Sequence, residues 1–310
     1  MNILITGGLG FIGSNLCKSL INNKKILKIV VIDNLSSGRN IFHDKKYKFL
    51  NIDVSNYIEL NKIPRIKFDI VFHFAGQSSG PLSHKIFDKD LNTNLIGTIN
   101  ILKFMRNRRL KKIVFSSSMS VYGNQKKIHV NETDETNPIS VYANNKLMAE
   151  NYIKYFSKYK INFVILRLFS VYGEGQDLSN KNQGMLSIFF SYILKNKNII
   201  IKGSIDRFRD FIYIDDLVSI LNDIIINYKK YNLNIINIGT GKRTTVKSLI
   251  KILINEFGKK NYEYKIQKET IDDQKGIIAN NQKLLKLKPD LKFTSLSNGI
   301  RKMRKYYQND

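Results

Sequence analysis

Two side chains with complementary chemistry lie four residues apart near the middle of the sequence. Tyr142 and Lys146 fall near the start of a predicted helix, where this spacing puts both on one face, one turn apart. A tyrosine hydroxyl has a reference pKa of about 10, and neighbouring positive charge lowers that pKa so that the phenol becomes a usable base. A Tyr and a Lys at this spacing also occur by chance, so the pair alone is weak evidence for a site.

A serine-rich segment precedes this pair by about 25 residues. Residues 115–120, FSSSMS, follow a predicted strand, which puts the hydroxyl of Ser118 at the carboxyl end of a sheet, where ligands of α/β folds bind. The alternative is a serine-rich loop without function.

Glycines recur at every third position after the first predicted strand. Residues 6–13, TGGLGFIG, contain Gly7, Gly10 and Gly13 and open the first predicted helix. Glycine allows a tight turn and a close approach of the backbone to a pyrophosphate, which the helix N-terminus attracts. The alternative is a tight turn between strand and helix that binds nothing.

An aspartate ends the second predicted strand, VVID. Asp33 follows Gly13 by 20 residues. A carboxylate at this place accepts hydrogen bonds from the hydroxyls of an adenosine ribose and repels a 2′-phosphate. The glycines and Asp33 together predict NAD as the cofactor in preference to NADP, and the alternative is that Asp33 merely starts a turn.

Short apolar runs alternate with helical patterns through the first half of the chain. Uninterrupted apolar strands separated by helices predict a parallel sheet covered on both faces, that is, a Rossmann-type doubly wound α/β fold. The predicted strands of this half are 2–6, 28–32, 48–51, 70–74, 113–116 and 163–168, and the predicted helices are 14–22, 91–106 and 141–159.

The pattern loosens after about residue 173. We therefore predict a dinucleotide-binding domain over residues 1–172 and a smaller C-terminal α/β substrate domain over residues 173–310, with part of residues 205–240 returning to pack on the first domain. In this half the predicted helices are 185–194, 215–226, 245–257 and 296–307, and the predicted strands are 199–202, 235–238 and 262–266.

The composition limits the class of protein. A chain of 310 residues, 43% of them hydrophobic, is globular rather than disordered, and its single cysteine, Cys17, excludes an internal disulfide or a zinc module. The excess of 51 Lys and Arg over 25 Asp and Glu would suit an anionic partner. Because this charge is spread along a chain that is also rich in Ile and Asn, we attribute it to an AT-rich genome and expect no nucleic-acid partner.

Neither a signal peptide nor a membrane span is expected. The sequence begins with an apolar stretch that runs straight into the glycine turn, and no run approaches the roughly 18 uninterrupted apolar residues that span a bilayer. We therefore expect a cytoplasmic protein with no membrane partner and no metal site.

These segments occur in the order found in a known family. The sequence resembles the extended short-chain dehydrogenase/reductases, and among them the nucleotide-sugar 4-epimerases of the UDP-glucose 4-epimerase type, over essentially the whole chain. The segments that carry the resemblance are 6–14, 33–38, 53–54, 73–76 (HFAG), 94–98 (NLIGT), 115–123 (FSSSMSVYG), 142–146, 166–173 (LRLFSVYG), 209–211 and 237–241.

The resemblance implies a catalytic set and a cofactor site. Ser118, Tyr142 and Lys146 match the catalytic positions: the Tyr142 phenolate removes the sugar 4-hydroxyl proton, Ser118 bonds the same oxygen, and Lys146 holds the nicotinamide ribose. The residues implied to contact NAD are Gly7, Gly10, Phe11, Ile12, Gly13, Asp33, Asn34, Ser37, Gly38, Asp53, Val54, Phe74, Ala75, Gly76, Ser78, Asn94, Tyr142, Lys146 and Phe169.

The resemblance also implies a substrate site, with departures from the family pattern. The implied substrate contacts are Ser118, Ser170, Gln183, Arg209 and Ile277, with Arg209 on the diphosphate. Ser170 replaces the usual asparagine before Val-Tyr-Gly. Ile277 stands where some members have a tyrosine that closes the sugar pocket, so we hypothesise that UDP-N-acetylhexosamines are admitted.

The expected function is inversion of C4 of a nucleotide-diphosphate sugar, through transient oxidation by tightly held NAD. The segment Ser118-Met119-Ser120 has no carboxylate where 4,6-dehydratases have theirs, which argues against dehydration. The alternatives are a 4-keto-sugar reductase or 4-dehydrogenase with the same three residues and, from another class, a non-catalytic NAD-sensing or nucleic-acid-binding protein. By analogy with the family, a homodimer is expected.

Overall fold

The structure, a computed structural model, describes residues 1–38, 41–182, 184–259, 263–269 and 274–309. Its strands in chain order are β1 (Asn2–Thr6), β2 (Lys28–Asp33), β3 (Tyr47–Asn51), β4 (Ile70–His73), β5 (Lys112–Ser118), β6 (His129–Val130), β7 (Asn162–Leu168), β8 (Ser170–Tyr172), β9 (Ile199–Lys202), β10 (Phe208–Arg209), β11 (Phe211–Tyr213), β12 (Asn234–Ile238), β13 (Thr244–Thr245), β14 (Tyr264–Gln267) and β15 (Ile278–Ala279).

The α-helices cover the sheet and form much of the second half of the chain. They are α1 (Phe11–Ile21), α2 (Gly80–Ser83), α3 (Phe87–Asp90), α4 (Gly97–Asn107), α5 (Val141–Phe156), α6 (Met185–Leu194), α7 (Ile214–Ile226), α8 (Tyr228–Tyr231), α9 (Val246–Glu256), α10 (Gln282–Leu287) and α11 (Leu296–Asn309). Short 3₁₀ segments occur at Tyr57–Lys62, Met119–Tyr122 and Ser157–Tyr159, and a π-helical segment at Leu91–Ile96.

Within the described residues, seven strands form one parallel sheet in the order β12-β7-β5-β4-β1-β2-β3. Successive side chains of a strand point to opposite faces, and here both faces are buried. Ile3 and Ile5 belong to the apolar cluster that includes α1, α6 and α7, while Leu4 belongs to the cluster that includes α4 and α5. The predicted doubly wound α/β fold is confirmed.

The strand predicted at residues 113–116 is longer than predicted. Its hydrogen-bonded register continues through Ser116, Ser117 and Ser118, which pair with residues of β7 up to Leu168. The serines therefore do not follow the strand; they form its carboxyl end. A neighbouring strand supplied from another part of the chain outweighs the weak strand preference of serine itself.

The observed bounds of the helices predicted at 91–106 and 141–159 differ from the predicted ones. The helix predicted at 91–106 is a π-helical segment followed by α4, and the helix predicted at 141–159 ends as α5 at Phe156. A 3₁₀ turn follows α5, and Lys160 then takes a left-handed conformation with φ of 61°. The hydroxyl of Ser140 accepts a hydrogen bond from the backbone N–H of Ala143, which fixes where α5 begins.

The second half of the chain forms several short strand pairs and also contributes one strand to the central sheet. Strand β12 lies after the predicted domain boundary at residue 173, and it pairs in parallel with β7 of the central sheet. The other pairs of this half are β8 with β11, β9 with β14, β10 with β13, and β6 with β15. Within the described residues no helix combines the length and apolarity that crossing a bilayer requires.

Candidate active site

The glycine turn between β1 and α1 is packed too closely for other residues. Gly7 has φ of +65°, and a Cβ on it would lie 2.5 Å from the backbone nitrogen of Ala75. A Cβ on Gly13 would lie 2.4 Å from the backbone oxygen of Gly7. The absence of these side chains brings the N-terminus of α1 to the wall of a cavity, where its backbone N–H groups favour an anion.

Asp33 lies at the end of β2 beside the glycine turn. Its two carboxylate oxygens accept hydrogen bonds from the backbone N–H groups of Leu9, at 3.1 Å, and Leu35, at 2.9 Å. Burial raises the pKa of Asp33, and these two hydrogen bonds oppose that rise. Next to it, the side-chain amide of Asn34 donates to Asp53 at 2.9 Å. Asp53 was predicted to contact NAD, but it is not among the residues that line the cavities; its neighbours Ile52 and Val54 are.

Two adjoining cavities, of about 230 and 320 Å³, run along the carboxyl ends of the strands. Both are lined by Gly7, Gly10, Phe74, Gly76 and Ser78, so they form one elongated cleft. We call the end with Asp33 the β2 end of the cleft, and the end with Tyr142 the α5 end. This is the position at which α/β folds bind dinucleotides.

Most of the residues predicted to contact ligands line this cleft. They are Gly7, Gly10, Phe11, Ile12, Gly13, Asp33, Asn34, Ser37, Val54, Phe74, Ala75, Gly76, Ser78, Ser118, Tyr142, Lys146, Phe169 and Ser170. Gly38 lies behind the glycine turn, where a Cβ would come within 2.4 Å of the Leu9 carbonyl carbon. Gln183 lies outside the described residues.

The structure brings Ser118, Tyr142 and Lys146 together at the α5 end of the cleft. Ser118 ends β5, and its hydroxyl hydrogen-bonds to Tyr142, donates to the hydroxyl of Ser120 at 3.1 Å and accepts from the backbone N–H of Ser120 at 3.2 Å. The ammonium of Lys146 donates to the backbone oxygen of Ser116 at 2.9 Å and lies 5.9 Å from the centre of the Tyr142 ring.

Burial sets the electrostatics of Tyr142 and Lys146 in the chain without cofactor. Burial raises the pKa of Tyr142 to about 12, the hydrogen bond with Ser118 opposes that rise, and the charge of Asp90 adds to it. Burial also lowers the pKa of Lys146 to about 8. The predicted fall in the Tyr142 pKa counted a bound nicotinamide cation as well as the ammonium, so it stays a prediction for the protein with its cofactor. In the chain by itself, the loss of water around the phenol dominates.

An unpartnered polar atom lies beside Gly76, at the edge of the cleft. The side-chain oxygen of Asn94 is buried and has no hydrogen-bond partner. A Cβ on Gly76 would lie 2.5 Å from that oxygen and 3.2 Å from the ammonium of Lys146. A ligand at Gly76 can therefore reach both groups, and with the glycine turn and Asp33 at the other end the cleft fits a dinucleotide.

Only some of the predicted substrate contacts line the cleft. Ser170 lines the α5 end of the cleft, whereas Ile277 is 2% exposed and belongs to an apolar cluster with Phe169 and Met119, which do line it. The guanidinium of Arg209 donates to the backbone oxygens of Phe208, at 2.8 Å, and Gln274, at 3.0 Å. Burial lowers the pKa of Arg209 to about 10, and the charge of Arg207 adds to the effect.

Gln77 lies in the segment 74–78, which the resemblance places along the cofactor, and it lines both cavities. Other lining residues were not predicted. Gln176 and Ser187 line the α5 end, and the hydroxyl of Ser187 donates to the side-chain oxygen of Gln176 at 2.7 Å. This contact joins a loop to α6 and has no signal in the local sequence. Among the described residues, no cluster of three or more His, Cys, Asp or Glu could hold a metal ion.

Known proteins resemble the chain over most of its length. A Methanocaldococcus jannaschii protein provisionally named UDP-glucose 4-epimerase is 38% identical over 260 residues, which are 83% of this chain and 82% of that one. A crystal structure of a Thermotoga maritima UDP-glucose 4-epimerase with UDP-glucose superposes with a TM-score of 0.92 at 30% identity, covering 100% of this chain and 99% of that chain.

A third comparison concerns a different sugar. The structure of a Methanobrevibacter ruminantium UDP-N-acetylglucosamine 4-epimerase, in complex with UDP-N-acetylmuramic acid, has a TM-score of 0.90 at 29% identity, covering 99% of this chain and 98% of that one. The profile of one protein family, described as the NAD dependent epimerase/dehydratase family, matches residues 3–239. With this match over most of its length, the chain belongs to the NAD dependent epimerase/dehydratase family.

Proposed function

We propose that this protein is an NAD-dependent UDP-sugar 4-epimerase. The observation that carries the proposal is the meeting of Ser118, Tyr142 and Lys146 at one end of a cleft whose other end has Asp33 and the glycine turn. The names of the similar proteins, a UDP-glucose 4-epimerase and a UDP-N-acetylglucosamine 4-epimerase, support the same reaction.

The mechanism assigns one task to each residue. Tyr142, as phenolate, removes the proton of the sugar 4-hydroxyl, and Ser118 donates a hydrogen bond to the same oxygen. A bound NAD would supply the acceptor, and then the donor, of the C4 hydride. Lys146 carries the positive charge that favours the phenolate, and its ammonium holds a ribose hydroxyl of the cofactor. The 4-keto sugar rotates in the site and is then reduced on the opposite face of C4. The oxidation is thereby reversed, and no net oxidation of the sugar results.

The lining of the α5 end favours epimerisation over dehydration. Positions 119 and 120 are Met and Ser, and among the described residues no aspartate or glutamate lines this end of the cleft. Elimination of water from C5 and C6 needs a general acid and a general base beside these carbons. The 4-keto sugar therefore has no carboxylate to divert it into a dehydrated product.

The identity of the sugar is a further part of this proposal. Ile277 packs in one cluster with Phe169 and Met119, which line the α5 end of the cleft. An aliphatic side chain behind this wall leaves room that a tyrosine would fill. UDP-N-acetylhexosamines are therefore proposed as substrates together with UDP-hexoses, with Arg209 as the group that pairs with the diphosphate.

A homodimer in the cytoplasm completes the proposal. Helix α5 exposes Met148, Tyr152 and Tyr155 on one stripe, which Tyr159 continues, and each is between 38% and 49% exposed. Such a stripe of large apolar side chains on a surface helix suits pairing with a second copy. Cys17 is buried and unpaired, which suits a reducing compartment.

The proposed activity is tested with the purified protein and no added NAD. UDP-glucose, UDP-galactose, UDP-N-acetylglucosamine and UDP-N-acetylgalactosamine are each incubated with it, and the C4 epimers are resolved by proton NMR. The proposal expects interconversion that Tyr142→Phe abolishes and that Tyr264→Phe, at an exposed position on β14, leaves intact. Consumption of NADH or NAD in proportion to product would instead identify a one-way reductase or dehydrogenase.

A further inference from the structure

Asp90, the last residue of α3, is a carboxylate with no exposed surface. One of its oxygens accepts from the side-chain amides of Gln77, at 2.7 Å, and Asn94, at 3.1 Å. The other accepts from the side-chain amide of Asn145 at 2.8 Å. In the part of the chain that the structure describes, no Lys, Arg or His makes an ion pair with it. A buried charge held only by neutral amides is costly to maintain, so its retention calls for a reason.

The three amides that Asp90 accepts from belong to residues that line the cleft or adjoin residues that line it. Gln77 lines both cavities, and Asn145 directly precedes Lys146 in α5. Asn94 is the residue whose side-chain oxygen is buried, unpartnered and close to Gly76. A single carboxylate thus joins the loop after β4, the π-helical segment and the catalytic helix.

Asp90 determines which way the amide of Asn94 faces. The Asn94 amide nitrogen has two hydrogens, and they are used by Asp90, at 3.1 Å, and by the backbone oxygen of Gln77, at 3.1 Å. Because both hydrogens are used, the side-chain oxygen is the atom left beside Gly76, which lines the cleft. An unpartnered acceptor therefore lies behind Gly76, next to the ammonium of Lys146.

The charge of Asp90 also acts on the catalytic pair. The ionisable groups around Lys146 are Asp90 on α3, His73 on β4, and Tyr142 and Glu150 on α5. Burial and Lys146 lower the pKa of His73 to about 3, so that its ring is neutral.

Of the two carboxylates near Lys146, only one is free of a cationic partner. The carboxylate of Glu150 binds the guanidinium of Arg167 at 2.8 Å, which offsets its charge. Asp90 has no such partner among the described residues, so no cation offsets its negative charge. This charge favours the protonated form of Lys146.

We propose that Asp90 is a positioning residue of the reaction site, which orients the Asn94 oxygen towards the cofactor and keeps Lys146 charged. Asp90 itself touches neither cofactor nor sugar. The assignment rests on the proposed function for its effect on turnover, whereas its effect on cofactor binding is independent of which sugar is used.

The test compares Asp90→Asn with Asp216→Asn. Asp216 is a second buried carboxylate, which accepts two hydrogen bonds from Thr294 at 2.8 Å each and does not line the cleft. Both substitutions remove a buried charge, so both are expected to lower stability. Affinity for NAD is measured by calorimetry without sugar, and kcat and KM are then measured with the epimerised sugar as a function of pH.

Asp90→Asn is expected to weaken NAD binding and to lower kcat by roughly 10-fold to 100-fold, with little change in KM, because a misoriented group costs turnover rather than sugar binding. Loss of the negative charge lowers the pKa of both Tyr142 and Lys146. Both limbs of the pH profile are therefore expected to move to lower pH. Asp216→Asn is expected to keep the wild-type pH profile and NAD affinity.

A double substitution tests whether Asp90 acts through Asn94. Asn94→Ala removes the oriented oxygen, so adding Asp90→Asn to it is expected to weaken NAD binding no further. If Asp90→Asn does not fold, Asn145→Ala, which removes one donor to Asp90 without changing charge, is expected to weaken NAD binding in the same direction. An NAD affinity and pH profile equal to those of Asp216→Asn would overturn the assignment.

The two proposals fail in different ways. If the wild-type protein binds NAD but epimerises none of the sugars, the proposed function is wrong, while the NAD affinities still decide the role of Asp90. If the wild-type protein is an active epimerase and Asp90→Asn binds NAD as the wild type does, the role of Asp90 is wrong and the function stands.

Discussion

The ammonium of Lys146 donates to the backbone oxygen of Ser116 at 2.9 Å and lies 5.9 Å from the centre of the Tyr142 ring. The end of β5 therefore sets the position of a residue on α5, one helical turn from the proposed base. Burial, with a smaller contribution from the charge of Asp90, raises the pKa of Tyr142 to about 12. A positive charge such as that of Lys146 is therefore needed to favour the phenolate at neutral pH.

Lys146→Met is expected to lower kcat by at least about 100-fold, since the phenolate loses its stabilising charge while the aliphatic stem is retained. Lys154→Met removes an exposed lysine from the same helix and serves as the control. Initial rates of C4 epimerisation by both variants provide the measurement. Equal rates for the two variants would show that the ammonium has no role.

The rate of epimerisation is expected to fall at alkaline pH. Burial lowers the pKa of Lys146 to about 8, so its ammonium is lost as the pH rises through that value. The positive charge of Lys146 is thus present below pH 8 and absent well above it. We therefore expect kcat to decline with rising pH, with the midpoint of the decline near pH 8. A profile of kcat between pH 6 and pH 10 measures this limb, and a rate that keeps rising to pH 10 contradicts the assignment.

Asp33→Asn is expected to reduce the preference for NAD over NADP. The amide keeps an acceptor for only one of the two backbone N–H groups, those of Leu9 and Leu35, and it no longer repels a 2′-phosphate. One charge-assisted hydrogen bond is worth about 1.5 to 3 kcal/mol, which corresponds to a change of roughly 10-fold to 100-fold in relative affinity. Calorimetry with both dinucleotides measures it, and Asp44→Asn, at a turn nearby, should leave the preference unchanged.

Glu150→Gln is expected to lower the free energy of unfolding by about 3 to 5 kcal/mol, because it leaves the buried guanidinium of Arg167 without its counter-ion. Ser117, adjacent to the catalytic Ser118, also donates to Glu150, so the pair ties β5 and β7 to α5. Urea denaturation measures the loss. Glu256→Gln, which breaks a half-exposed ion pair with Arg301, should cost about 1 kcal/mol or less, and similar losses for both would contradict the prediction.

Tyr155→Glu is expected to shift the protein from dimer to monomer, because a charge placed in the centre of the exposed stripe of α5 would be buried on pairing. Light scattering coupled to size-exclusion chromatography measures the mass. Leu233→Glu, at a 54% exposed position outside α5, is the control. A wild-type protein that runs as a monomer would remove the basis of the prediction.

The amino-acid sequence determined the features that depend on neighbouring residues. Uninterrupted apolar runs identified the parallel strands, and the glycines with Asp33 identified the nucleotide end of the cleft. Each of these depends on the local steric and hydrogen-bonding preferences of a few consecutive residues. The order of these segments along the chain then carried the resemblance to the family.

The tertiary structure decided what depends on distant segments. Strand β12 joins the central sheet after a separation of more than 60 residues from its partner β7, and Asp90 meets Asn145 across 55 positions of the chain. In the chain without cofactor, the pKa of Tyr142 lies above its ordinary value. Its value depends on how completely other elements exclude water from the phenol, and no spacing within one helix contains that information.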